Sequence, residues 1–160
     1  MMGMKSMIRA KMLHHAVLNV TDIHASVAFY EKILGLKVVA WNDAKTLVFL
    51  SFGGKHHDLS LNQRAQGPVS EEEHAGLNHL GWQLDSWEDL QAAYEELLEL
   101  GVNVDRTTQH NITNSVYVTD PDGIMVELFC DRFEDGYSVM KNQGPRADPF
   151  DIRKGELIPN

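Results

Sequence analysis

Residues 119–129, Thr-Asp-Pro-Asp-Gly-Ile-Met-Val-Glu-Leu-Phe, open as a turn and continue as a strand. Pro121 pre-sets its own φ, and Gly123 is free to take a positive one. Beyond the turn the side chains alternate. Met125, Glu127 and Phe129 share one face, and Ile124, Val126 and Leu128 share the other. Apolar neighbours on both faces predict a buried strand with a carboxylate in its middle. A buried carboxylate is costly unless it binds a cation or takes a proton. A salt bridge, or a register that turns Glu127 to water, would also satisfy it. The rest of the chain bears on that choice.

Working outward, the chain repeats itself. The spacing predicts a strand over 14–20, then a helix over 23–34 behind a Thr21-Asp22 cap, ended by Gly35. Strands follow over 36–41, 46–52 and 56–62, then a polar connector over 63–74. The order then recurs: a strand over 76–84 containing His79, a helix over 87–100 behind Asp85-Ser86, and strands over 102–107, 114–119 and 123–129. An offset of 64 aligns His15 with His79, Ala28 with Ala92, Tyr30 with Tyr94 and Leu34 with Leu98. This is a two-copy repeat of strand–helix–strand–strand–strand, too short for a solenoid. The expected fold is α+β: two βαβββ modules, about 12–67 and 75–131, forming one domain over 12–131. Their curved mixed sheets enclose a cavity, with helices outside. Residues 1–11 read as an N-terminal arm, with 1–10 disordered or loosely docked. Residues 132–160 read as a polar tail with three prolines that wraps the domain, covers the cavity mouth or packs on a partner.

Composition narrows the function. The 160 residues carry a net charge of −9, from 14 basic and 23 acidic side chains, with no basic run. That argues against a nucleic-acid partner. The one cysteine, Cys130, allows no intrachain disulfide and suggests a cytoplasmic protein. No stretch approaches the ~20 apolar residues that cross a bilayer, and the N-terminus lacks the apolar core of a signal peptide.

His15 and His79 hold equivalent places near the start of each module's first strand, and Glu127 lies on the last strand of the second. Two histidines and one carboxylate suit Fe(II) or Mn(II) with three positions left open. Matching Leu61 to Leu128 puts Ser60 opposite Glu127, so the first module offers no second acid. His14 is the neighbouring candidate at the first position. For each residue there is a plainer role: a hydrogen-bonded core or surface histidine, or an ion-paired glutamate.

Three stretches carry a resemblance: LHHAVLNVTDIHASVAFYEKILGLKVV, GLNHLGWQLD and VTDPDGIMVELF. Together they are similar to the vicinal oxygen chelate superfamily over about residues 12–131. That group includes glyoxalase I, bleomycin- and fosfomycin-resistance proteins, methylmalonyl-CoA epimerase and type I extradiol catechol dioxygenases. The resemblance implies a metal held by His15, His79 and Glu127, most simply Fe(II), with Mn(II) the alternative. Lys55-His56-His57-Asp58 resembles the extradiol segment that carries an acid–base histidine, placed at His57. Read as a strand, 56–62 points His56 and His57 to opposite faces. Tyr117, ten residues before Glu127, resembles the active-site tyrosine. His110, expected in the loop before that strand, resembles a second pocket histidine. The implied activity is ring cleavage of a catechol-like vicinal diol by dioxygen, in a homodimer or higher homo-oligomer or a single chain. Alternatives on the same fold are a glyoxalase-like lyase, a thiol transferase, an epimerase, or a non-catalytic resistance protein that binds a small molecule.

Overall fold

In the β7–β8 hairpin, β7 (Thr113–Thr119) and β8 (Met125–Asp131) pair antiparallel across the 120–123 turn. The Asp120 carboxylate closes that turn. Its Oδ1 accepts the backbone N–H of Asp122 at 2.9 Å and of Ile124 at 2.8 Å. Gly123, at φ 84°, donates its N–H to the Asp120 carbonyl. The computed structural model describes residues 11–70 and 76–159, so the expected arm over 1–10 lies outside the described residues. The chain forms two units, residues 1–67 and 68–160. Among the described residues no helix is long and apolar enough to cross a membrane.

The first unit runs β1 (Ala16–Val20), α1 (Ile23–Leu34), β2 (Lys37–Trp41), β3 (Leu47–Ser51) and β4 (Leu59–Gln63). Its sheet has the order β1-β4-β3-β2, with β1 and β4 parallel and the other pairs antiparallel. Asp22 caps α1 by accepting from the N–H groups of His24 and Ala25, and Gly35 ends it at φ 70°. Ile23, Val27 and Tyr30 bury one face of α1, which packs on β4 and β2. Leu18, Val20, Val48, Leu50, Leu59 and Leu61 complete this core.

The second unit repeats the plan and extends it. Here β5 (His79–Gln83), α2 (Trp87–Glu99) and β6 (Val104–His110) precede the β7–β8 hairpin. Then come α3 (Gly136–Gln143), β9 (Ala147–Asp151) and β10 (Glu156–Leu157). The sheet order is β10-β9-β6-β7-β8-β5, with β5 and β8 parallel. Leu90 and Leu97 of α2 are buried, and α2 packs on β7 and β8, whose Val116, Val118, Val126 and Leu128 are buried too.

Three expectations change. The strand expected over 56–62 begins only at Leu59, so His56 and His57 lie in a bend. The bend forms because Gly53 turns the chain at φ 99° and Asp58 holds it: its carboxylate accepts the Phe52 N–H at 2.9 Å and pairs with Lys55 at 3.0 Å. His110 is the last residue of β6, not part of a loop, because β6 runs three residues longer than its apolar pattern. The tail over 132–160, set outside the two modules, extends the second unit's sheet. β9 pairs antiparallel with β6, Thr108 opposite Pro149 and His110 opposite Ala147. Phe150 and Ile152 are buried, Phe150 lies 5.6 Å from the Trp87 ring, and Gln91 donates to the Ile152 carbonyl.

Replacing Asp120 by alanine takes the acceptor from two N–H groups, one buried and one half-buried. The expected cost is about 2 kcal/mol. It should be read in urea as a lower midpoint with an unchanged m-value. An unchanged midpoint would mean that the Asp120 carboxylate does not hold the turn.

Candidate metal centre

In the second unit the register lays four residues side by side across the sheet. Arg106 pairs with Tyr117, Tyr117 with Glu127, and Glu127 with Gly81. Directly opposed residues share a face. This row lies on the face away from Val116, Val126 and Leu128, because successive side chains alternate. Glu127 is 9 % exposed. Tyr117 donates its hydroxyl proton to Oε1 of Glu127 at 2.9 Å, and His79 Nε2 stands 3.1 Å from Oε2. Gly81 makes room for the acid. A Cβ there would lie 3.3 Å from Glu127 Oε2 and 3.3 Å from the Phe129 ring.

Counting protons around His79 exposes the chemistry. Its Nδ1 lies 2.6 Å from Asn78 Oδ1, an acceptor, so Nδ1 carries the hydrogen. In the neutral ring Nε2 then presents a lone pair to a carboxylate oxygen. Two lone pairs at that separation repel unless a proton or a metal ion lies between them. Neutral imidazole nitrogen and carboxylate oxygen are the donor set of a divalent transition metal, so the pair fits such an ion, and Asn78 fixes the tautomer that ligation needs.

The remaining polar groups lead away from the acid. His110 Nε2 lies 2.9 Å from the Tyr117 hydroxyl oxygen, and His110 Nδ1 lies 3.2 Å from the Arg146 carbonyl. The single Tyr117 proton goes to Glu127, so a bond between His110 and the Tyr117 oxygen needs the hydrogen on His110 Nε2. Burial, then the bond to Glu127, pushes the Tyr117 phenol up to about 12, so it stays a donor at neutral pH. The Arg106 guanidinium stacks 4.0 Å from the Tyr117 ring centroid and pulls the other way.

In the first unit His15 directly precedes β1, as His79 opens β5. Its ring centroid is 4.3 Å from that of His57, which also meets the Phe49 ring at 5.1 Å. His14 instead stacks on His56 at 4.7 Å. The four rings form one cluster: His57 lies nearest His15, His14 lies nearest His56, and the His56 and His57 rings are 4.4 Å apart. Burial, then the neighbouring His15, His56 and His14, lowers the His57 pKa and favours its neutral ring. Val17 pairs with Ser60 as Gly81 pairs with Glu127, so Ser60 does occupy the equivalent of the acid's place.

His79, Glu127, Tyr117 and His110 are thus brought together in the second unit, and His15 and His57 in the first. Among the described residues no group of three His, Cys, Asp or Glu side chains is gathered for a metal ion. Sequence reasoning missed Gly81, Asn78 and Arg106. A glycine inside a strand does signal close approach by another group, and Gly81 carried that signal.

Comparison with known proteins bears on fold and family. Residues 12–128 match the family model of the Glyoxalase/Bleomycin resistance protein/Dioxygenase superfamily. Biphenyl-2,3-diol 1,2-dioxygenase 3 of Rhodococcus globerulus is 35 % identical over 76 % of this chain and 64 % of its own length. The chain therefore matches less than two thirds of that relative. Metallothiol transferase FosB of Staphylococcus epidermidis is 28 % identical over 87 % of this chain and 95 % of its own. A glyoxalase/dioxygenase structure from Nostoc punctiforme superposes with a TM-score of 0.65, at 24 % identity over 77 % of this chain and 92 % of that one. Fold, repeat and family model agree: the chain belongs to the Glyoxalase/Bleomycin resistance protein/Dioxygenase superfamily.

Proposed function

We propose that this protein is a metal-dependent extradiol dioxygenase that opens the ring of a catechol-like vicinal diol. The observation that carries the reading is His79 Nε2 facing Glu127 Oε2 at 3.1 Å, two lone-pair donors arranged for a shared cation. The metal is Fe(II), with Mn(II) the alternative, and its ligands are His15, His79 and Glu127. Whether His15 comes from the same chain or a second copy is a question of assembly, and a homodimer accommodates either. When bound, such an ion supplies a Lewis acid for two vicinal oxygens and an activating centre for dioxygen. A diol-acting relative at 35 % identity favours this chemistry.

The chain's own residues then have distinct tasks. Asn78 holds the His79 tautomer, and Tyr117 orients the Glu127 carboxylate through Oε1. His57, neutral and beside His15, is the group that accepts a diol proton and returns it to the cleaving oxygen. His110 feeds the Tyr117 hydroxyl from behind, keeping a second proton donor in the site. The buried free thiol of Cys130 suits a reducing compartment, in keeping with a cytoplasmic enzyme.

A thiol transferase is the second reading, because the metallothiol transferase relative is matched over 95 % of its length. Anaerobic loading with Fe(II), followed by oxygen uptake and absorbance spectra with a panel of catechols, separates the two. The expected outcome is one iron per chain, oxygen consumption and a yellow ring-opened product. Thiol consumption with an electrophilic partner, and no oxygen uptake with any catechol, would hand the site to the transferase.

Removing a ligand tests the centre directly. His79→Ala and Glu127→Ala should each weaken iron binding by at least about tenfold, by analogy with the cost of disturbing even a metal's supporting groups. Unchanged iron content in either variant removes that residue from the ligand set.

His57→Phe should keep its iron and lose turnover by about 10²–10⁴-fold. Its depressed pKa sets the sign of the pH dependence. The working neutral ring is present above that pKa, so wild-type activity should fall as pH drops through a midpoint below about 6.5. That acidic limb should vanish in His57→Phe, and its persistence would assign the limb to another group.

A further inference from the structure

The row Arg106–Tyr117–Glu127 contains one side chain that the proposed chemistry does not use. Arg106 stands two strands from Glu127, a backbone separation of roughly 10 Å at about 4.8 Å per strand. Its guanidinium lies flat enough over Tyr117 to come within 4.0 Å of the ring centroid. One nitrogen, Nη1, donates to Asp105 at 2.6 Å, and the side chain is still 48 % exposed. Among the described residues its other N–H groups meet no protein acceptor. The aromatic ring holds the guanidinium on the row, and its remaining donors are open to a ligand.

The first module supplies an internal control. Its sheet carries a register shift between Val38 and Ala40, just as the second carries one between Val104 and Arg106. There Ala40 pairs with Phe49 and Phe49 with Ser60. The same bulge and an aromatic neighbour are therefore built without a cation. Arginine is not needed to make the bulge or to cover the ring. It appears only in the module whose row ends in Glu127.

We propose that Arg106 recognises a carboxylate carried by the substrate, so that the diol is an aromatic acid held at one end by the metal ligands and at the other by Arg106. The inference rests on the reading of His79 and Glu127 as the metal end of the site. A chain of net charge −9 repels an anionic ligand, and a local cation is what admits one. Guanidinium matches a carboxylate through two parallel hydrogen bonds. Asp105, itself 43 % exposed, occupies Arg106 meanwhile, and a solvent-exposed pair of this kind is cheaply exchanged for an incoming carboxylate.

The test compares a catechol bearing a carboxymethyl arm with its uncharged methyl ester. Binding to the full Fe(II)-loaded chain is measured by calorimetry under nitrogen, and turnover by oxygen uptake. Wild type should bind the acid about 10- to 100-fold more tightly than the ester, the range for hydrogen bonds to a charged group. Added salt should shrink that preference. Arg106→Met and Arg106→Ala should bring the ratio near one whatever happens to absolute rates, and Arg106→Lys should keep part of it. The alanine variant installs what the sister module carries at that place, and the acid-to-ester ratio is read within each variant. A wild-type ratio near one, undetectable binding of the acid, or a preference that survives Arg106→Met overturns the proposal. If neither compound consumes oxygen but the acid preference is present and vanishes with Arg106, the dioxygenase reading falls and the carboxylate site stands.

Discussion

A carboxylate buried in the middle of a β-strand must have a positive partner, and most of the second module follows from that requirement. Glu127 is taken out of water on a strand whose alternate residues, Val126 and Leu128, are locked in the core against α2. It cannot turn outward without turning them too, because a slip of one residue exchanges the two faces. The sequence around it is arranged accordingly. Gly81 withholds a side chain from the space the carboxylate fills. Tyr117 satisfies one oxygen, and His79 addresses the other. A hydrogen on His79 Nε2 satisfies that second oxygen, and so would a cation held between the two atoms.

Much of this was legible in the sequence, for identifiable reasons. Turn chemistry gave the β7–β8 hairpin, because Pro121 and Gly123 have few alternatives. Caps gave α1 its bounds, with Asp22 and Gly35 doing what their side chains favour. The repeat located His15, His79 and the Ser60/Glu127 exchange, and strand register agrees with that alignment. What was lost shares a physical cause: it depends on tertiary pairing. β9 reads Ala-Asp-Pro-Phe-Asp, in which proline removes a donor and aspartates hide the alternation; it becomes a strand because β6 offers it an edge. His56 and His57 look like strand residues until Asp58 is seen accepting the Phe52 N–H. Arg106 could not be placed on Tyr117's row by counting in twos, because a bulge intervenes.

The two modules share a backbone plan and divide the chemistry. Across the first sheet the row reads Ala40, Phe49, Ser60, Val17; across the second it reads Arg106, Tyr117, Glu127, Gly81. Three positions exchange a small or apolar group for a charged or polar one, and the fourth exchanges valine for glycine. The exchanges are coupled. A glutamate needs a glycine opposite for space, and it needs a hydroxyl where the sister module has a phenyl ring. Ser60, lacking a charge, tolerates both Val17 and Phe49. Of the three candidate metal ligands, the histidine at the head of the first strand is the type kept in both copies.

The tail adds the last constraint on the site, although it supplies no side chain to it. β9 runs beside β6 as far as His110, and the Arg146 carbonyl just before β9 faces His110 Nδ1. Asn111 donates to the Gly144 carbonyl, and Arg132 donates to the carbonyls of His110 and Asn111. The end of β6 is thereby tied from two directions, by the end of β8 and by the segment after α3. A histidine at a free strand end would sample many rotamers; this one is held with Nε2 on the Tyr117 oxygen. The placement of His110 thus comes from the backbone of the last thirty residues, roughly the part of the chain whose polar composition carried the least sign of order.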